Sequence, residues 1–149
     1  MELLKFKQDE RHDLPKEFNA VDNRLRFITM AWAAEMQYRF NYTPTVMVID
    51  RTQEEQDYIY TVLVDENTKA QYKAKPWLSV HQFKRGIDLR CSDMTDEMKD
   101  FTKHFFAQTV YDGTQPGKLT CLIHDVGAGN HIHLQVNNGM ATCIFVREG

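Results

Sequence analysis

Apolar residues at Phe18, Val21, Leu25, Ile28, Trp32 and Met36 recur at intervals of three and four, the spacing of one buried stripe on a helix. The stripe predicts a helix opened by Pro15, which a first turn tolerates, and ending near Asn41, ahead of Pro44. The β-branched run from Thr45 to Ile49 predicts a buried strand. Thr52 with Glu55 three residues on forms a capping box, so a helix is expected over Gln53 to Val62. Residues 65–78 are polar and turn-prone and read as a connection. Ile87 and Leu89 then alternate with Asp88 and Arg90, which predicts a second strand. Thr95, followed by Asp96 and Glu97, caps a further helix with Met98, Phe101 and Phe105 as its inner stripe. The turn residues of DGTQPG, 112–117, end it.

The last third changes to the period of strands. Leu119 to Asp125 is one, GAGN a turn, and His131 to Val136 the next. Asn138-Gly139 is a hairpin signal, and Ala141 to Val146 is expected to close the sheet. These elements predict a single α+β domain over residues 1–149. Its N-terminal helices pack on a small, mainly antiparallel sheet, and residues 1–14 form a loosely held lead-in.

Composition narrows the function without naming one. The 149 residues suit one domain with a real core, and 26% charged with 42% hydrophobic residues is ordinary for a globular protein. A net charge of −3 gives no global attraction to nucleic acid or to an anionic membrane surface, so neither is expected as a partner. The opening MELLKFKQDERHD lacks a signal-peptide apolar core, and no stretch approaches the ~20 apolar residues of a membrane helix. Synthesis in the cytoplasm without a signal peptide, no membrane insertion and a monomeric state are the expectations. Cys91, Cys121 and Cys143 are odd in number and form no CxxC, so buried small hydrophobes are expected rather than disulfides or zinc ligands.

The candidate chemistry lies in two stretches. In HIHLQV, His131 to Val136, strand alternation puts His131, His133 and Gln135 on one face and Ile132, Leu134 and Val136 on the other. In SVHQFKRGID, Ser79 to Asp88, a histidine and an aspartate stand seven positions apart. His81, Asp88 and His133 would offer zinc two neutral imidazoles and one carboxylate, with room for water as a fourth ligand. Net positive charge at the metal acidifies that water. His131 lies about 6.5–7 Å from His133 along the same strand face, within reach to act as general base or to hold an oxyanion. His12, His104 and His124 read as ordinary surface or hydrogen-bonded histidines. Trp77 reads either as a wall of the groove or as simple core packing.

SVHQFKRGIDL followed by HIH resembles the zinc D-alanyl-D-alanine metallopeptidases of bacterial cell walls. That superfamily includes phage L-alanyl-D-glutamate endolysins and the hedgehog domain. Ser79, His81 and Asp88 match the first motif, SxHxxGxAxD, in place. Arg51 in DRTQEEQ resembles the arginine of the YRSxxEQ segment, which contacts substrate or oxyanion. The likeness spans roughly residues 45–137 and implies Zn2+, a peptidoglycan stem peptide or D-Ala-D-Ala-type substrate, and action on the wall after release of a phage-type enzyme. It leaves open which bond is cut, and a non-catalytic zinc-binding module of the same fold is the alternative. Three positions depart from the pattern. Lys84 stands where glycine is usual, Gly86 where alanine is usual, and Asn130 where many relatives place an acid. The last shifts the role of base onto His131, with Asp125 the weaker candidate.

Overall fold

The N-terminal residues are held in the sheet rather than trailing from it. Lys5–Phe6 (β1) pairs parallel with Thr45–Val48 (β2), and Leu4 and Leu14 are buried, so the expected loose lead-in is corrected. The computed structural model describes residues 2–107, 109–110, 121–125, 129–136 and 144–145. His12 adds a second tether. Its Nδ1 lies 2.9 Å from Glu17 Oε2, and its Nε2 lies 3.0 Å from both oxygens of Glu55. Both ring nitrogens thus face acceptors, which a charged imidazolium satisfies. Desolvation by burial works against that charge, but the hydrogen bonds to Glu55 and Glu17 outweigh it and raise the pKa above 6.5.

The predicted helix from Pro15 to Asn41 is two helices. Leu14–Ala20 (α1) ends at Val21, whose backbone is extended, and Asn23–Phe40 (α2) restarts under an Asp22 cap. Asp22 Oδ1 accepts from Arg24 N at 2.9 Å, while its own amide donates to Lys84 O at 2.8 Å. The apolar stripe survives the break because Val21 still enters the core. Asn41, with φ of 49°, closes α2 in the left-handed conformation that asparagine tolerates, where the sequence predicted an end.

Gln53–Tyr58 (α3) opens on the expected Thr52–Glu55 capping box and widens into a π turn over Ile59–Leu63. Glu66–Ala74 (α4) occupies what reads as a connection. Its caps carry it: Asp65 Oδ1 accepts from Thr68 N at 2.8 Å, and the buried residue it contributes is Tyr72. Gly86–Arg90 (β3) is the strand predicted around Asp88. Asp96–Ala107 (α5) starts with Thr95 Oγ1 accepting from Met98 N at 3.2 Å. Its deepest residues are Thr102 and Phe106, with Met98, Phe101 and Phe105 flanking them, so the inner stripe is rotated from the expected one. Trp32 fixes that rotation by donating from Nε1 to Thr102 Oγ1 at 3.1 Å and packing 5.8 Å from the Phe106 ring.

Cys121–Asp125 (β5) and Asn130–Gln135 (β6) complete a five-stranded sheet in the order β1-β2-β3-β6-β5, antiparallel except for its first pair. The fold is therefore α+β with a mostly antiparallel sheet, as expected. Thr109–Val110 (β4) pairs with Ile144–Phe145 (β7) in a separate two-stranded ribbon. The strand predicted near 141–146 thus does not close the main sheet. The Asn138-Gly139 turn, the DGTQPG segment, Cys143 and the first residues of GAGN lie outside the described residues. Register gives the sheet two unlike faces. Ile87, Leu89, Ile132 and Leu134 face a core shared with α1, α2 and α5. Asp88, His131 and His133 alternate to the opposite side. Among the described residues, no helix is long and apolar enough to cross a membrane.

The raised pKa of His12 means that the folded chain binds its proton more tightly than the unfolded chain does. The bridge's stability is therefore complete below about pH 6.5, the unfolded pKa, and is lost as pH rises through the folded value. Denaturant unfolding of the native chain and of His12→Asn from pH 5.5 to 8.5 checks this. The native advantage is expected to shrink with rising pH, and a constant difference would refute the charged bridge.

Candidate metal centre

A short turn carries His81 over the sheet. Ser79 Oγ accepts from His81 N at 3.2 Å, and Gln82 Oε1 accepts from Ser79 N at 2.8 Å, a reciprocal cap that winds Val80–Phe83 into a 3-10 turn. The turn ends at Lys84, whose φ of 58° is left-handed. That conformation costs a residue with a Cβ roughly 1–2 kcal/mol, which is why glycine suits the position. Lys84 O receives the Asp22 amide, and Lys84 Nζ reaches Asp50 Oδ2 at 3.1 Å.

Gly86 makes the return possible. A Cβ there would stand 2.7 Å from Val80 Cγ2 and 3.1 Å from His81 Nδ1. The Val80 side chain and the His81 ring together occupy the space that alanine would fill.

The centre of the site is Asp88, with 6% of its surface exposed. A charge buried this deep costs about several kcal/mol if nothing offsets it. Three imidazoles do. Asp88 Oδ1 lies 3.1 Å from His81 Nε2 and 2.8 Å from His133 Nδ1, and Oδ2 lies 3.7 Å from His131 Nε2. Desolvation favours the protonated acid, but the positive charge of His81 and the hydrogen bonds from His133 and His81 prevail. The carboxyl is held well below the usual carboxylate range.

The outer ring atoms set the tautomers. His81 Nδ1 meets Ile49 O at 2.8 Å, and that carbonyl can only accept, so the hydrogen sits on Nδ1. In its neutral form His81 then presents the Nε2 lone pair to Asp88, whereas its imidazolium donates there. His133 Nε2 meets Gln135 Oε1 at 2.9 Å, which leaves Nδ1 facing the same carboxylate oxygen. Two lone pairs and an anionic oxygen converge, and only added protons or a cation between them can reconcile them. Histidine ligands are ordinarily oriented by giving their other N–H to such an oxygen. His81, Asp88 and His133 thus form a buried group that could hold a metal ion, with ligand atoms within 4.8 Å of one another.

The remaining expected residues fall around this group. Arg51 lines the same cleft, of about 250 Å³, with Tyr60, Trp77 and Leu78. Its guanidinium is aimed by Nη1, which donates to Gln56 Oε1 at 3.0 Å and Ser79 Oγ at 3.3 Å. The Arg51 amide also donates to His81 O at 3.1 Å, so loop and ligand move together. Trp77 is half-buried outside the main core, so the core-packing reading does not hold for it. It packs edge-on against Tyr60 and Tyr72, at 4.9 Å each, and also borders the cleft. His131 stands on the ligand face, whereas Asn130 begins the strand exposed and alternates to the other side. An acid at 130 would not share the face of His131. The side chain of Asp125 lies outside the described residues.

Sequence reasoning missed His124. Its place opposite His131 in the β5–β6 register puts the two ring centroids 4.8 Å apart, and His133 is 5.5 Å away. His124, His131 and His133 form a second group of metal-ligating geometry. The signal was the register, since His124 and His131 are seven apart across a turn. His104 is exposed on α5, and Cys91 and Cys121 are buried, the Cys121 thiol pushed up to about 12 by burial. Comparison with protein-family models, curated proteins and solved structures finds no match to this chain.

Gly86→Ala is expected to displace the His81 ring and weaken binding of a divalent transition metal by about 10- to 100-fold, the usual effect of disturbing a ligand's support. Isothermal titration with zinc checks it. Unchanged affinity, with the fold intact by circular dichroism, would show that metal binding does not depend on the seat of the His81 ring against Gly86.

Proposed function

We propose that this chain is a zinc-dependent peptidase that hydrolyses amide bonds in peptidoglycan stem peptides. It would be endolysin-like, cutting as an L-Ala-D-Glu endopeptidase or a D-Ala-D-Ala carboxypeptidase. The observation that carries the reading is the convergence of His81 Nε2, His133 Nδ1 and Asp88 Oδ1 at the floor of a cleft bordered by Arg51. Two imidazoles and one carboxylate are a catalytic zinc ligand set, one that leaves a coordination position open. The resemblance of Ser79, His81, Asp88 and the His131–His133 pair to cell-wall metallopeptidases supplies the substrate class.

Zinc held by these three residues would acidify water and polarise a carbonyl oxygen. The chain's own groups supply the remaining steps. Arg51, fixed by Gln56 and Ser79, presents a permanent charge to a substrate carboxylate or to negative charge developing on the scissile carbonyl. His131 takes the proton at Nε2, because its Nδ1 faces the Gly129 carbonyl at 3.2 Å and holds the hydrogen there. Tyr60 and Trp77 give the cleft an aromatic wall against which the apolar part of a peptide can lie. No global positive charge is needed for a peptide substrate, in keeping with the net charge of −3.

Incubation of zinc-loaded protein with purified peptidoglycan, read by new amino termini and fragment masses, tests the proposal and identifies the bond. His81→Ala is expected to abolish cleavage, and Arg51→Ala to lower kcat by about 10²- to 10³-fold, the cost of removing one oxyanion donor. Intact peptidoglycan in the presence of one bound zinc per chain would replace the enzyme with a zinc-binding module.

A further inference from the structure

We propose that the sheet carries a second cation position, formed by His124, His131 and His133, beside the one built on His81 and Asp88. The three imidazoles each offer a nitrogen within 4.8 Å of the others, and they come from two adjacent strands in register. This inference stands apart from the peptidase reading, because His124 and His131 are neither of them ligands in the first group.

Three features make this a binding position rather than a chance cluster. His131 Nδ1 faces the Gly129 carbonyl at 3.2 Å, so its hydrogen is turned away and Nε2 presents a lone pair to the face of the sheet. That nitrogen lies 3.7 Å from Asp88 Oδ2, while Asp88 Oδ1 serves the first group. The carboxylate therefore has one oxygen toward each position and can bridge them, as in paired-metal sites. His133 stands at the border, with His81 on one side at a ring separation of 5.2 Å and His124 on the other at 5.5 Å. An all-imidazole set without its own anion suits a divalent transition metal such as zinc, copper, cobalt or nickel and not magnesium or calcium.

The two positions are unequal. The first holds an anionic ligand and fills first. His133 has one lone pair, which the first position takes, so with both filled the second is left with His124, His131 and the outer oxygen of Asp88, and it fills at higher metal concentration. Where the first is destroyed, His133 is released to complete the triad. Occupation of the second position makes His131 a ligand and takes it out of proton transfer, so excess zinc would slow the hydrolysis proposed above.

Equilibrium dialysis of the tag-free chain against zinc, with metal counted by elemental analysis, decides the matter. The native chain is expected to bind two ions per chain at saturation, and His81→Ala and His124→Ala one each. The native number undiminished in both His124→Ala and His124→Gln overturns the second position. His124 lies on the edge strand β5, and circular dichroism of both variants verifies the fold. Should the native chain bind one ion that survives His81→Ala and is lost in His124→Ala, the second position stands and the first fails. One ion lost in His81→Ala and kept in His124→Ala does the reverse.

Discussion

A buried carboxylate imposes the constraint on which the rest of the structure turns. Asp88 is on the middle strand of the sheet, flanked by β2 and β6, where little of it reaches water. Its charge is offset, once they are protonated or share a cation with it, by groups from separate parts of the chain: His81 from the preceding turn, and His131 and His133 from β6. Without these partners the charge would stand uncompensated at a depth where that costs about several kcal/mol, comparable to a small domain's whole margin. The turn from Ser79 to Lys84, the Arg51 loop and the register of β3 with β6 are each consequences of serving that one side chain.

The sheet solves a second problem with the same residues. Ile87, Leu89, Ile132 and Leu134 are fully buried on its core face, and the residues that alternate with them include Asp88, His131 and His133 of the site. Strand alternation makes this separation automatic, and a slip of one residue would bury the imidazoles and expose the core. The site is therefore as well located as the core is well packed. Trp32 and Phe106, which seat α2 and α5, thereby support a cleft on the far side of the sheet that they never touch.

Patterns local in sequence were legible and those that depend on partners were not. HIHLQV announced both its strand and the face of its histidines, and the Thr52–Glu55 capping box stands where it was read. The break at Val21 escaped because an apolar stripe records burial and is indifferent to a backbone that stops and restarts. α4 escaped because its 9 residues bury little beyond Tyr72; only Asp65, three before Thr68, marked its start. β1 could not be seen in two residues, since it exists by pairing with β2. For the same reason His124 gained meaning only once β5 was laid against β6.

Positions 84 and 86 each answer a demand of space and backbone. Position 84 needs a left-handed residue, and Lys84 meets the need at a cost that its carbonyl's bond to Asp22 and its ammonium's contact with Asp50 help offset. Position 86 needs the absence of a Cβ, because the His81 ring is seated against it. Glycine is therefore demanded at the floor beneath the ligand rather than at the bend of the turn, and this local route brings His81 Nε2 to 3.1 Å from Asp88 Oδ1.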